Sequence, residues 1–197
     1  MKNIAILLTA ITLVSCNQGG DKNTQTDTKK PDLQTTDVKT SNVPADWKTY
    51  SHDNYSIQYP STWEMKESDG TVSVFSIEAP MDTAKAIMGE NIQLSVQDMR
   101  GQAIPLDKVA DAAIGQFKDI LTNFTLLSNK KLTDGTGDYQ QVIFSGEQGS
   151  IVMIFEQWYR IINDKLYVLN LTGAKENWDK GGQKIGEQIL GSFMVKK

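Results

Sequence analysis

Residues 151–162, with the sequence IVMIFEQWYRII, form a long stretch that is apolar at both odd and even positions. Alternate residues of a β-strand point to opposite faces of a sheet, so a strand of this kind is buried on both faces. Asn163-Asp164 then has the composition of a hairpin turn, and Leu166–Leu171 is a second apolar strand. This pair predicts a sheet that is covered on each side, and therefore a three-layer domain.

Further strands are predicted on the amino-terminal side of this hairpin. Trp47–Ser51 is a short strand, and His52-Asp53-Asn54 has turn chemistry. Tyr55–Tyr59 alternates, with its two tyrosines and Ile57 on one face, and Pro60 ends it because proline cannot donate a ladder hydrogen bond. The same reasoning predicts strands over Val72–Glu78, Asn91–Met99, Thr125–Leu132 and Tyr139–Ser145.

One long helix is predicted over Pro105–Asn123. Proline suits the first turn of a helix, and apolar residues recur at three- and four-residue steps. These residues, which we expect to pack in the core, are Leu106, Val109, Ala110, Ala113, Phe117, Ile120, Leu121 and Phe124. Residues 81–88 are ambiguous, since they fit either a short helix or a mobile loop.

A second helix is predicted over Gly173–Phe193, with Trp178, Ile185 and Ile189 near one face. Glycine weakens a helix by up to about 1 kcal/mol relative to alanine. Its three internal glycines therefore predict either a kink or a neighbour that packs closely against them: Gly181, Gly182 and Gly186.

The amino terminus carries a targeting signal. Met1-Lys2-Asn3 supplies one positive charge, and residues 4–14 are apolar apart from two threonines. A membrane-spanning helix needs about 20 residues, so this shorter run is typical of a secretory signal peptide. It ends in Leu13-Val14-Ser15-Cys16, which resembles the lipobox of bacterial lipoproteins. The resemblance implies lipid attachment to the thiol of Cys16 and cleavage before it. The alternative is an uncleaved anchor with a chance cysteine.

We expect residues 1–15 to be the signal peptide, 16–46 the lipidated cysteine with a disordered tether, and 47–197 the globular domain. Residues 17–46 contain no aromatic side chain, and their larger apolar residues are Leu33, Val38 and Val43. Such a segment buries too little apolar surface to offset its ordering entropy. Two or three acyl chains would hold the domain at the inner or outer membrane, facing the periplasm or the surface.

The charge balance limits the partners. The chain has 20 Lys and Arg against 24 Asp and Glu, a net charge of −4. A nucleic-acid-binding protein needs a basic footprint, so we expect no nucleic acid partner. The same acidity disfavours electrostatic docking on anionic lipid, so the acyl chains at Cys16 must supply the membrane affinity. The single cysteine also excludes an internal disulfide.

No catalytic, metal or cofactor site is predicted. His52 is the only histidine and lies in a predicted surface turn, whereas catalytic triads need a histidine base and zinc sites need more ligands. Gly135-Thr136-Gly137 lacks the lysine and the strand-loop-helix context of a phosphate loop. The acidic residues are scattered around turns, among them Asp53, Glu64, Glu67 and Asp69.

Two short motifs connect the domain to a known family. Tyr59, Pro60 and Trp63 form the pattern Y-P-x-x-W after a strand, and Ser192-Phe193 lies near the carboxyl terminus. This arrangement resembles the PsbP-like superfamily, which includes an extrinsic photosystem II subunit and bacterial envelope lipoproteins. The resemblance covers most of residues 47–197. It implies an α+β fold in which an antiparallel sheet is sandwiched between helices, and a non-catalytic accessory role.

Two functions follow as hypotheses. The first is a non-catalytic, lipid-anchored module that docks on a protein of the cell envelope. The second is a protein that binds a small molecule or glycan in a cleft between sheet and helix, with aromatic side chains as a stacking face. The candidate stacking residues are Trp47, Trp63, Trp158 and Tyr159. An enzyme ranks third.

Overall fold

The computed structural model describes residues 44–68, 73–81 and 89–196. Several predicted features therefore lie outside the described residues. These are the signal peptide, Cys16, the tether up to residue 43, Asp69 and most of the ambiguous segment 81–88.

Most of the domain is one antiparallel sheet of seven strands, in the order β3-β4-β5-β9-β8-β7-β6. A small sheet in the order β1-β2-β10 accompanies it. The strands are β1 Trp47–His52, β2 Tyr55–Pro60, β3 Glu64–Glu67, β4 Phe75–Glu78, β5 Asn91–Asp98, β6 Thr122–Asp134, β7 Gly137–Gln148, β8 Ile151–Ile162, β9 Lys165–Ala174 and β10 Met194–Val195.

The central hairpin forms as predicted. Asn163 and Asp164 adopt φ angles of 50° and 57°, the left-handed conformation that a two-residue turn between twisted strands requires. They join β8 to β9, which pair from Met153 opposite Ala174 to Ile162 opposite Lys165. Strand β8 is buried without interruption from residue 153 to residue 160. Its burial on both faces is therefore confirmed.

Helix α1, Leu106–Ile120, covers one face of the large sheet over β6, β7 and β8. The opposite face is covered by the small sheet and by the carboxyl-terminal helices, which contact β2, β8 and β9. Each face has its own apolar cluster, one around Phe117 and Phe144 and the other around Ile57 and Leu171. The α+β fold and its three layers are confirmed, with the addition that one outer layer is partly a sheet.

Helix α1 differs from the prediction at its carboxyl end. Its buried residues are four of those predicted: Val109, Ala110, Ala113 and Phe117. Ile120, however, is 68 % exposed, so its assignment to the core was wrong. The helix ends at Ile120 because β6 begins at Thr122, three residues before the predicted strand at Thr125.

The carboxyl-terminal helix is broken, as its glycines predict. A short helix α2, Lys175–Asn177, leads through a π-helical turn over Trp178–Gly182 into α3, Gln183–Gly191. The break occurs at Gly181, whose φ is 109°. The closely packed neighbours exist as well: a Cβ at Gly186 would lie 2.3 Å from Cδ2 of Leu171. Trp178 and Ile189 are buried, whereas Ile185 is 40 % exposed.

Strand β7 extends three residues beyond its predicted end at Ser145. It continues through Gly146 to Gln148, and the turn begins at Gly149. The reason is steric, because a Cβ at Gly146 would lie 2.9 Å from the Cβ of Leu121, where α1 runs into β6. The glycine leaves room for the Leu121 side chain to pack against β7, and the strand continues through it.

The Ser-Phe motif contacts β2, the strand that leads into the Y-P-x-x-W motif. The Ser192 hydroxyl accepts a hydrogen bond from the backbone N–H of Gln58 at 2.8 Å and lies 3.1 Å from its carbonyl oxygen. Phe193 packs against Tyr55, with ring centroids 5.9 Å apart. Trp63 is buried, and its backbone N–H donates to the carbonyl of Pro60 at 3.0 Å. Ser192 and Phe193 therefore attach the small sheet to the end of α3.

Candidate functional site

His52 is the last residue of β1, beside the turn at residues 53–54, whereas the sequence placed it in the turn itself. Its side chain is 44 % exposed, with Nδ1 3.5 Å from Oδ2 of Asp53. Its ring stacks on Tyr55 at a centroid distance of 5.6 Å. Cys16, the one site residue that the sequence proposes, lies outside the described residues.

The four aromatic residues proposed as a stacking face do not form one. Trp158 and Tyr159 are neighbours on β8, so they point to opposite faces of the sheet and belong to different apolar clusters. Trp63, Trp158 and Tyr159 are buried, and Trp47 packs at the margin of the cluster that holds Trp158. These aromatic residues fill the core.

The predicted carboxylates are spread over separate contacts. Glu64 and Glu78 both pair with Lys66, at 3.5 and 2.6 Å. Glu67 accepts a hydrogen bond from the hydroxyl of Tyr50 at 2.9 Å. Within residues 44–68, 73–81 and 89–196, no three His, Cys, Asp or Glu side chains are close enough to hold a metal ion.

The polar side chains that matter most for the fold lie inside it. Arg160 on β8 is 2 % exposed and pairs with the carboxylate of Asp134, which ends β6. Its Nη1 donates to Oδ1 of Asp134 at 3.0 Å and also to the hydroxyl of Thr136. The guanidinium lies 4.4 Å from the ring centroid of Tyr139. Arg160 therefore attaches the β6–β7 turn to the centre of the sheet.

Burial would raise the pKa of Asp134, but the hydrogen bonds from Arg160 and Thr136 outweigh it and lower that pKa to about 2. The carboxylate thus stays ionised at every ordinary pH. Residues 135–136 form the hairpin turn between β6 and β7, and the hydroxyl of Thr136 in this turn accepts a hydrogen bond from Arg160.

Glu156 is the second buried charge of β8, with no exposed surface. Its Oε1 accepts hydrogen bonds from Nε2 of Gln141 at 2.6 Å and from Nε1 of Trp158 at 2.7 Å. Its Oε2 is buried without a hydrogen-bond partner. Burial raises the pKa of Glu156 above its usual range, the two hydrogen bonds oppose the shift, and Glu187 on α3 adds to it.

The opposite face of the sheet carries a chain of amides. The hydroxyl of Tyr159 donates to Gln157, whose Nε2 donates to Oδ1 of Asn170 at 3.1 Å. Asn170 then donates to the hydroxyl of Thr172 at 2.8 Å. These buried side chains satisfy one another across β8 and β9, which fixes the register of the two strands.

The sequence prediction missed these interior polar residues. Their signal is present, since Glu156, Gln157 and Arg160 interrupt a run that was predicted to be buried on both faces. Polar groups in such a place must be paired, because burying them unpaired costs several kcal/mol. Which residue pairs with which depends on the strand register, and that is a tertiary property.

The exposed surface that stands out is apolar. At one end of the large sheet, α1 runs into β6 and β7 turns into β8. The register places these two connections side by side, because Thr122 pairs with Glu147 and Glu147 pairs with Val152. Five exposed large apolar side chains lie on the segments that meet towards this end, which we call the apolar end: Ile120, Leu126, Leu127, Ile151 and Val152. Because Ile151 and Val152 are adjacent on β8, the exposed side chains border both faces of the sheet. Exposed apolar residues that lie together are typical of interaction sites.

The apolar end is continuous with an edge of the sheet. Among the described residues β6 is the last strand of the large sheet, and ten of its thirteen residues are exposed. We call its outer side the β6 edge. The opposite edge strand, β3, has four residues, of which three are charged.

In the part of the chain that the structure describes, no helix is long and apolar enough to cross a bilayer.

A family model described as PsbP-like protein matches residues 4–195. The chain therefore belongs to the PsbP-like family, and the resemblance drawn from the Y-P-x-x-W and Ser-Phe motifs is confirmed. No curated protein sequence matches the chain.

Three solved structures show the same fold at low identity. Cyanobacterial PsbP from Synechocystis sp. PCC 6803 is 16 % identical with a TM-score of 0.60, over 78 % of this chain and 95 % of that one. LpqN of Mycobacterium tuberculosis, described as involved in cell envelope biogenesis, is 16 % identical with a TM-score of 0.58, over 77 % and 91 %. The Saccharomyces cerevisiae Ran-binding protein Mog1p is 9 % identical with a TM-score of 0.53, over 76 % and 95 %.

Proposed function

We propose that this protein is a non-catalytic, lipid-anchored module of the cell envelope that docks on another envelope protein through its apolar end. The observation that carries the proposal is the group of five exposed apolar side chains at one end of the sheet. The interior polar groups of β8 are buried and contribute to the fold, so a partner would meet the apolar end instead.

The family supports the proposal at a coarser level. LpqN, which shares the fold, is described as involved in cell envelope biogenesis, and Mog1p is described as a Ran-binding protein. Binding another macromolecule is therefore a role that this fold supports elsewhere. The lipobox-like segment ending at Cys16 would hold the domain at a membrane. An anchored domain diffuses along the membrane surface, where an envelope partner is also located.

The anchor is tested by mass spectrometry of the processed full-length protein. We expect a chain that begins at Cys16 and carries two or three acyl chains, and a Cys16→Ala variant that keeps its leader. A chain that retains Met1, or a bare thiol in a soluble fraction, would contradict the lipid anchor.

The docking surface is tested in cells by placing a photo-crosslinking amino acid at Leu127, with Ser51 on β1 as the matched exposed control. We expect one discrete crosslinked product from position 127, absent from position 51, and its loss when Val152→Asp is added. Equal crosslinking from both positions, or none at near-native abundance, would contradict docking through the apolar end.

A further inference from the structure

The β6 edge is suited to one kind of ligand. An edge strand presents a row of backbone N–H and C=O groups at a spacing that only another extended chain can match throughout. The first half of β6 is irregular, with register shifts between Thr122 and Thr125 and between Leu126 and Ser128. From Ser128 to Asp134 the pairing with β7 has no shift, so this half is a regular template of seven residues, about 24 Å long.

The charges of this regular half select among extended chains. Lys130 and Lys131 are exposed, and because they are adjacent they lie on opposite faces of the strand. Lys131 pairs with Asp138 on β7 at 2.6 Å and Asp134 pairs with Arg160, so Lys130 is the charge of this half that faces a partner chain among the described contacts. A lysine on an edge strand prevents indiscriminate pairing, because an apolar chain would have to bury it and a basic chain would repel it. A chain with an acidic side chain opposite Lys130 would be favoured instead.

We infer that the β6 edge accepts an extended segment of a separate partner protein as an eighth strand of the sheet. This segment has an acidic side chain beside Lys130 and apolar side chains that continue over Leu126 and Leu127 at the apolar end. The inference rests on the proposed function and specifies its partner as a polypeptide with an extended apolar and acidic segment.

The opposite edge of the sheet serves as an internal reference. Strand β3 has four residues, and its Lys66 is held by Glu64 and Glu78. A strand this short offers few backbone groups for addition, and its charges already satisfy one another. We therefore expect strand addition at the β6 edge only.

The test uses the full-length protein in detergent and an eight-residue synthetic peptide, blocked at both ends, with Val or Leu alternating with Glu or Thr. Hydrogen exchange should show that the peptide protects backbone amides within Ser128–Asp134 and leaves those of Glu64–Glu67 unchanged. A matched peptide with Lys in place of Glu should bind about fivefold more weakly or worse, since each exposed charge pair contributes 0.2–1 kcal/mol.

Two further measurements separate strand addition from other contacts. Peptides that are N-methylated at either the odd or the even positions differ only in which backbone donors they lose, so only one of the two should lose binding. The Lys130→Glu variant should reverse the preference between the Glu and Lys peptides, and Lys184→Glu on the exposed side of α3 should not.

The outcomes are distinguishable. No protection within Ser128–Asp134 at millimolar peptide, or equal binding of both N-methylated peptides, would overturn strand addition while the crosslink at Leu127 could still support the proposed function. Protection of these amides without peptide, together with a dimer in solution, would show that a second copy occupies the edge and would overturn the separate partner. Protection of the Ser128–Asp134 amides without any crosslink in cells would support the strand site and contradict the proposed function.

Discussion

Strand β8, in the interior of the large sheet, and strand β6, at its edge, differ in which side chains they bury and which they expose. The central strand buries Glu156 and Arg160, whereas the edge strand exposes Leu126 and Leu127. Polar groups at the centre are costly unless they are paired, so they couple the strands and the fold depends on them. Apolar groups at the edge have no such role, and they are therefore available to a partner. The predictions below test this contrast, beginning with the largest expected change in stability.

The Asp134→Asn substitution should destabilise the domain most. It leaves Arg160 buried without a compensating charge, and removing one partner of a buried pair costs about 3–5 kcal/mol. Asp134 is itself about one third exposed, so we expect about 2–3 kcal/mol in urea unfolding. The control is Asp138→Asn, which removes an exposed pair with Lys131 and should cost less than about 1 kcal/mol. Equal losses in both variants would show that burial does not distinguish the pairs.

The same pair predicts a pH dependence. The pKa of Asp134 is about 2 in the folded protein and 3.8 in the reference state, so its contribution to stability is complete above pH 4. That contribution is lost as the pH falls from about 4 to about 2. The difference in unfolding free energy between the wild type and Asp134→Asn should shrink over this range. A difference that stays constant down to pH 2 would argue against the ionised pair.

Two glycine substitutions compare a closely packed position on α3 with an exposed position on α1. Gly186→Ala places a Cβ 2.3 Å from Cδ2 of Leu171, a fully buried residue of β9, and overpacking of this kind costs about 1–3 kcal/mol. Gly115→Ala on α1 meets no atom within 4 Å and should stabilise the domain by up to about 1 kcal/mol. Thermal unfolding measures both variants, and effects of the same sign would contradict the close packing of α3 on the sheet.

The Glu156→Gln substitution should alter how the unfolding temperature depends on pH, and it should change the unfolding temperature little at low pH. A raised pKa in the folded state means that folding penalises the ionised carboxylate, so the wild type loses stability as the pH rises above 4.5. Glutamine cannot ionise, so the variant should gain a few degrees in unfolding temperature relative to the wild type between pH 5 and pH 8. Glu64→Gln, which alters an exposed side chain, is the control and should show no such trend.

The Leu127→Asp substitution at the edge should change stability least, by no more than about 0.5 kcal/mol, because the side chain is 55 % exposed. We expect it nevertheless to reduce crosslinking from a probe at position 151 in cells. Urea unfolding and crosslink yield measure the two effects separately. A large loss of stability would show that Leu127 contributes to the core, and an unchanged yield would place docking elsewhere.

Periodicity alone located most of the elements. The alternation of Tyr55–Tyr59, the turn at Asn163-Asp164 and the two-sided apolar run of β8 all agree with the structure. Periodicity failed where two elements meet. Ile120 continues the helical pattern of α1 but is exposed, because the chain leaves the helix there to begin β6. Gly146 has the composition of a break but lies inside a strand, because Leu121 packs against it.

What the sequence determined by itself is local. It specified the order of strands and helices, the burial of β8, the kink at Gly181 and the family, because backbone preferences and apolar spacing are properties of neighbouring residues. The tertiary structure alone decided that Asp134 accepts Arg160, that Ser192 is bonded to Gln58, and that β6 lies at an exposed edge beside the apolar end. These features depend on strand order and register, which bring together residues up to 134 positions apart and leave no periodic signal along the chain.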